Sequence, residues 1–252
     1  MIVKENKMNK KTIITLCSVV LVLAVTVGAT LAYLSAKTDP KENVFTIGEG
    51  ITGNLVEPKW DGINFELDSN KVEVSETEEL GKTLATNFVP GREIPKDPTV
   101  ENTSDIEVWV AVTLDYSVSG NEVPKKAVDY DRIFASKNAE GSFIGTGFAE
   151  MVKNENWEFS DDMKTAYYKT KVPAKSSTSI SKSEPVFTQI NILNDAKIDD
   201  VMDENNVLKR AKIEGFVIDI NAYLIQAEGL EYDTAKTELN NLIAEKRPTT
   251  TP

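Results

Sequence analysis

Residues 107–117 read EVWVAVTLDYS, and the alternation inside that stretch decides the fold class. Val108, Val110, Val112 and Leu114 fall on one face of an extended chain, and Trp109, Ala111, Thr113 and Asp115 on the other. β-Branched and aromatic residues dominate the run, which reads as a strand. A second long run, IEGFVIDINAYLIQA at 213–227, repeats the pattern. Phe216, Ile218, Ile220 and Ala222 make one face, and Val217, Asp219, Asn221 and Tyr223 the other.

Shorter strands surround these two. Trp157–Phe159 and Thr165–Val172 read as a pair across the turn Ser160–Lys164. Their aromatic cluster, Trp157, Phe159, Tyr167 and Tyr168, suits cross-strand and core packing better than a carbohydrate platform. Pro185–Leu193 reads as a strand with Phe187 out of phase with Val186, Thr188, Ile190 and Ile192. Pro90-Gly91 signals a turn of type II, where glycine supplies the positive φ. Pro95 and Pro98 cannot donate to a ladder, so the chain there is expected to run as an edge strand or extended crossover into Thr99–Glu101 and turn at Asn102–Asp105.

Tyr130–Ala135 reads as a short helix or strand, Pro173–Glu184 as a surface loop, and Asp195–Arg210 as a short helix or ordered loop. Asp233–Arg247 is helical, with Asp233 or Thr234 able to cap and with Ala235, Leu239, Leu242 and Ile243 on one stripe. Pro248–Pro252 is a disordered tail. The pattern as a whole predicts an all-β protein, an antiparallel sandwich or barrel with short helices in its connections.

The chain begins with a different kind of segment. Lys4, Lys7, Lys10 and Lys11 precede Thr12–Thr26, a run rich in Leu, Ile and Val that carries no charge, and Thr30-Leu31-Ala32 puts small residues at −3 and −1. This is the layout of a secretory signal peptide cut between Ala32 and Tyr33. Twenty apolar residues would also just span a bilayer. The small residues at the far end and the lack of a basic stop-transfer cluster favour cleavage over a retained anchor. One domain is expected over 33–247.

Composition excludes whole classes of chemistry. The chain has 252 residues, no histidine and one cysteine, Cys17, which lies in the leader. Without imidazole there is no Ser-His-Asp triad, no Cys-His dyad and no His-Glu-x-x-His zinc site. Without cysteine the mature chain forms no disulfide, so a core, an ion or assembly must supply stability outside the cell. The leader holds four Lys against one Glu, so its removal takes the net charge from −12 to −15. A surface that acidic repels nucleic acid and anionic headgroups, which leaves the uncleaved leader as the membrane-seeking part.

The acidic run KVEVSETEELGK at 71–82 lacks calcium-loop spacing, and Asp199, Asp200, Asp203 and Glu204 read as a solvated face. Gly141–Gly147 has neither the Gly-Lys-Ser/Thr step nor the following helix of a phosphate loop. No catalytic, cofactor or metal residues are assigned.

Three motifs carry a resemblance. Gly28-Ala-Thr-Leu-Ala-Tyr33 is followed, after a polar spacer, by Asn43-Val-Phe-Thr-Ile-Gly48. Pro90-Gly91, Lys96-Asp97 and Asn102-Thr103-Ser104 lead into the strand at 107–117, and Ala222-Tyr-Leu-Ile-Gln-Ala-Glu-Gly229 closes the second long run. Together they resemble the TasA/camelysin family of secreted Gram-positive surface and biofilm-matrix proteins, with prolines at 95 and 98 as a departure.

The resemblance implies a jelly-roll-like two-sheet sandwich, processing by a SipW-type signal peptidase, and assembly of copies of the chain into fibres, alone or with other matrix or surface proteins. It implies no catalytic residues, although camelysin-like relatives are described as metallopeptidases. The assembly strand would be Val44–Ile51, with Val44, Phe45, Ile47 and Ile51 as its apolar residues and 33–50 as the donor segment. A secreted binding module for polysaccharide or a protein partner is the alternative.

Overall fold

The computed structural model describes residues 35–37, 45–47, 50–65, 71–73, 79–120, 123–196 and 215–246. The expected leader with Ala32 and Tyr33, residues 74–78 of the acidic run, the carboxylates of 199–204, Val44 and the tail 248–252 lie outside them.

The strands run β1 Ser35–Lys37, β2 Phe45–Ile47, β3 Ile51–Val56, β4 Ile63–Phe65, β5 Lys71–Glu73 and β6 Glu93–Pro95. They continue with β7 Thr99–Asn102, β8 Val108–Gly120, β9 Val123–Val128, β10 Ser136–Lys137, β11 Phe143–Ile144 and β12 Ala149–Lys153. The last are β13 Trp157–Phe159, β14 Thr165–Tyr168, β15 Ser181–Lys182, β16 Phe187–Ile192 and β17 Gly215–Gln226. Helices α1 Pro58–Asp61, α2 Gly81–Leu84 and α3 Tyr130–Ile133 are single turns, and α4 Tyr232–Lys246 is the long one.

The two long strands form the spine. β8 and β17 pair antiparallel without a break from Gly215↔Ser119 to Gln226↔Val108. Side chains alternate across a strand, so each of the two sends one set of residues to each side of the sheet. Val108, Val110, Val112, Leu114, Ile220, Ala222 and Leu224 enter the main core. Trp109, Ala111, Tyr223 and Ile225 enter a second core beneath α4. The face assignments read from 107–117 and 213–227 hold.

β1 flanks β17, while β14 and then β13 extend the sheet beyond β8, which β9 also pairs. α4 packs on the outer face of this sheet through Ala235, Leu239, Leu242 and Ile243, the stripe expected of it. Polar bonds fix its position. Trp109 Nε1 donates to the Leu230 carbonyl at 3.1 Å, and the Tyr167 hydroxyl donates to Asn240 Oδ1 at 2.5 Å. Glu158 accepts from Lys236 at 2.6 Å and from Tyr232 at 2.7 Å, and these bonds, Lys236 first, hold its carboxyl below the usual range. The helix starts at Tyr232, so Asp233 is in its first turn rather than at its cap. The negative side chain there still favours the positive helix end.

The facing layer consists of the sheet β15-β7-β3-β2 and the sheet β12-β16-β6. These two are halves of one layer, because residues 93–102 run antiparallel to 181–192 through both. Val186 N donates to Pro98 O and Ser183 N to Val100 O, each at 2.8 Å, between the regular ladders. Pro95, Pro98 and Pro185 have no N–H to give, so the ladder is interrupted where they fall. The result is an all-β, antiparallel two-layer sandwich, with β6 on an edge of its sheet as its prolines require. The Pro90-Gly91 turn also forms, with Gly91 at φ 79° and Arg92 N bonded to Val89 O at 3.1 Å.

Three expectations are corrected. Val44–Ile51 is not one strand: the chain turns after Ile47, and Ile51 opens β3 directly opposite it. Phe187 is buried with Ile190 and Ile192 instead of opposing them, because the register slips at Thr188: Val152 faces Gln189 and Lys153 faces Phe187. One bulged residue reverses the phase of everything before it. The loop 173–184 also contains β15, which pairs with β7 through Ser181↔Asn102.

Leu239→Ala should lower unfolding stability by about 2–4 kcal/mol, as a buried leucine truncated against Trp109 and its neighbours would. Urea unfolding followed by far-UV circular dichroism and by tryptophan fluorescence should give coincident transitions, which checks that α4 and the sandwich unfold as one unit.

Candidate assembly site

Of the residues proposed for assembly, Phe45 and Ile47 lie on β2 and Ile51 on β3. β2 adds antiparallel to β3 with Phe45 opposite Gly53, Thr46 opposite Thr52 and Ile47 opposite Ile51. Ten residues earlier, β1 adds antiparallel to β17, with Ser35 opposite Ile225, Ala36 opposite Leu224 and Lys37 opposite Tyr223. Strands β1 and β2 lie beside each other, so the segment 35–47 contributes an outer strand to each layer on the same side of the sandwich.

The layers approach closely under these two strands. A Cβ on Gly53 would lie 2.8 Å from Leu224 Cδ2 and 2.7 Å from the Glu101 carbonyl oxygen. Glycine at 53 is thus required by the approach of β17 to β3, and the residues that meet there are those in register with Ala36 and Phe45.

Farther along β17 the layers separate and a cleft of about 260 Å³ opens. Leu55, Ile94, Ile190, Phe216, Ile218 and Ile220 form its apolar walls, and Glu57, Lys96 and Trp60 lie at one end. Lys96 is only 7 % exposed. Its ammonium is 2.8 Å from both Glu57 carboxylate oxygens and 4.3 Å above the Trp60 ring.

Asp97 accepts from Lys59 N–H at 2.9 Å. Burial lifts its carboxyl from 3.8 to about 6, with the Lys59 bond opposing and the nearby Glu57 charge assisting. Lys96 and Asp97 together therefore clamp α1 over the end of the cleft.

Asn102 has a comparable role at its turn. Its amide donates to the carbonyls of Ile106 at 2.7 Å and Pro173 at 2.8 Å, while Oδ1 accepts from Ser104 N–H at 3.0 Å. Trp157 and Tyr168 pack with tilted rings 5.0 Å apart inside the main core, and Tyr167 is buried under α4, so these aromatics form no exposed platform. Among the described residues, no three Asp, Glu, His or Cys converge to hold a metal, and no helix is long and apolar enough to cross a membrane. No family model and no curated protein matches the chain.

The sequence could not reveal the Lys96–Glu57 pair, whose partners are separated by 39 positions. Lys96→Ala is expected to cost about 3 kcal/mol by leaving Glu57 partly buried without its counter-ion, and Lys96→Met with Glu57→Gln to cost less. Denaturant melts of the single and double variants check the difference.

Asp97 adds a pH dependence. Its folded value lies above its unfolded value, so its contribution is full below about pH 4 and is lost as pH rises through about 6. Asp97→Asn should flatten the stability profile across that interval.

Proposed function

We infer that this chain is a secreted, non-catalytic structural protein, a subunit of extracellular fibres or biofilm matrix at the cell surface. Copies assemble through the N-terminal segment after a signal peptidase cuts between Ala32 and Tyr33. The observation that carries this reading is that 35–47 supplies an outer strand to both layers on one side. A segment whose described residues pair as edge strands can leave its own sandwich and make the same ladders on a neighbour. The exchange conserves hydrogen bonds, so mass action decides between monomer and polymer. The motifs shared with the TasA/camelysin family support the same reading.

An uncut leader would tether the segment, which makes processing the switch. The alternative reading, a secreted binding module for polysaccharide or a protein, is favoured by the cleft beside β17.

Electron microscopy of the mature protein should show fibres, and N-terminal sequencing should place its first residue between Tyr33 and Lys37. Deleting 33–47 should leave a folded monomer that no longer polymerises and that a peptide of the deleted sequence caps. Fibres at an unchanged rate from the deleted protein would sink the proposal. A stable monomer with and without the segment would favour the binding module.

A further inference from the structure

In the sheet β15-β7-β3-β2, the central strand β7 carries a carboxylate almost wholly shut off from water. Glu101 is 2 % exposed, and Asn54, opposite it on β3, is fully buried. Asn54 Nδ2 donates to Glu101 Oε2 at 3.2 Å. Asn54 Oδ1 is buried too and, among the described residues, accepts no hydrogen bond. An ionised carboxylate is acceptor-only, so it offers nothing to that oxygen. A protonated one does, through its O–H.

We propose that Glu101 is held as a neutral acid in the folded sheet and pairs with the Asn54 amide through two hydrogen bonds, forming an acid-operated latch between β3 and β7. The amide N–H donates to one carboxyl oxygen and the carboxyl O–H donates to the amide oxygen, with the proton taken from solvent. Deprotonation removes the second bond and leaves a buried charge beside an orphaned oxygen, which is the costly arrangement.

The surroundings agree. Among the described residues the Asn54 N–H favours ionisation, and to a lesser degree so does the charge of Lys182, in register with Glu101 on β15. Burial outweighs both and moves the carboxyl upward. The neighbouring contact between Thr52 on β3 and Thr103, just past the end of β7, is neutral, Thr103 Oγ1 to Thr52 Oγ1 at 2.6 Å.

A folded value above the unfolded one means that the latch contributes fully below the unfolded value and is lost as pH rises through the folded one. Because β3 is also the strand on which β2 docks, acid strengthens the sheet that carries the N-terminal segment. The latch stands independently of the fibre reading, since it concerns the folded monomer.

Its test uses the Asp97→Asn protein, to remove the other raised carboxyl. In that background the folded-to-unfolded ratio should fall by up to tenfold per pH unit across the Glu101 titration, as release of one proton requires. Glu101→Gln, whose amide makes both bonds at every pH, should abolish that slope and be at least as stable as its parent at about pH 8. A double-mutant cycle between Asn54→Val and Glu101→Gln distinguishes pairing from burial alone, because its coupling energy should change with pH only if the proton bridges the two groups. Carbon-13 titration of the Glu101 carboxyl in the folded wild type needs no variant to fold. A carboxyl that titrates at or below 4.5, or a slope untouched by Glu101→Gln, overturns the latch.

Discussion

The ladder between β8 and β17 is the constraint on which the rest of the molecule depends. It is the longest pairing among the described residues, and it is covered on both faces by apolar groups. Its surfaces place the elements packed around it. The main core joins it to the facing layer, Trp109 and Tyr223 receive α4, and its open flank at Tyr223–Ile225 receives β1. Each large apolar side chain buried there is worth roughly 1.5–3 kcal/mol, so two strands apolar on both faces concentrate much of the stabilisation in one pair. Cys17 is the one cysteine of the chain, so that concentration does its work without an intrachain disulfide.

The facing layer is built by a different rule. Prolines at 95, 98 and 185 interrupt its central ladder, and side chains fill the gaps in the hydrogen-bond pattern. Ser183 Oγ accepts from Val100 N–H at 3.0 Å, and the Asn102 amide gathers the carbonyls of a neighbouring loop. Buried polar groups are tolerated when they are hydrogen-bonded, and here they fix register where the backbone cannot. One layer is thus continuous and apolar, and the other is interrupted and held in part by polar side chains. Lys96 and Glu101, the charged residues that are buried among those described, both belong to the interrupted layer.

The N-terminal segment gives one strand to each layer. Both of its strands are short, and both are added to edges. Short edge strands are the elements whose removal disturbs a core least, so a segment built this way suits a role that requires it to change partners. The requirement for glycine at 53 brings β17 and β3 together under it, giving the segment a fixed seat.

Local pattern was enough for anything that depends on periodicity or on proline and glycine. The two faces of 107–117 and 213–227, the stripe of α4, the edge position of β6 and the Gly91 turn were legible because each follows from one segment's own geometry. Absence was equally legible: with no histidine in the chain, imidazole chemistry is excluded whatever the fold. Tertiary structure alone decided matters that depend on pairing. The reversal between Ile47 and Ile51 is a choice between continuing a strand and folding back on it, and alternation reads the same in both cases. The bulge at Thr188 inverted Phe187 because a slip of one residue belongs to the partner's register. Lys96 found Glu57, and Glu101 found Asn54, across 39 and 47 positions. A charged residue in a polar stretch carries no local mark of burial, since its solvent is removed by chain that arrives from elsewhere.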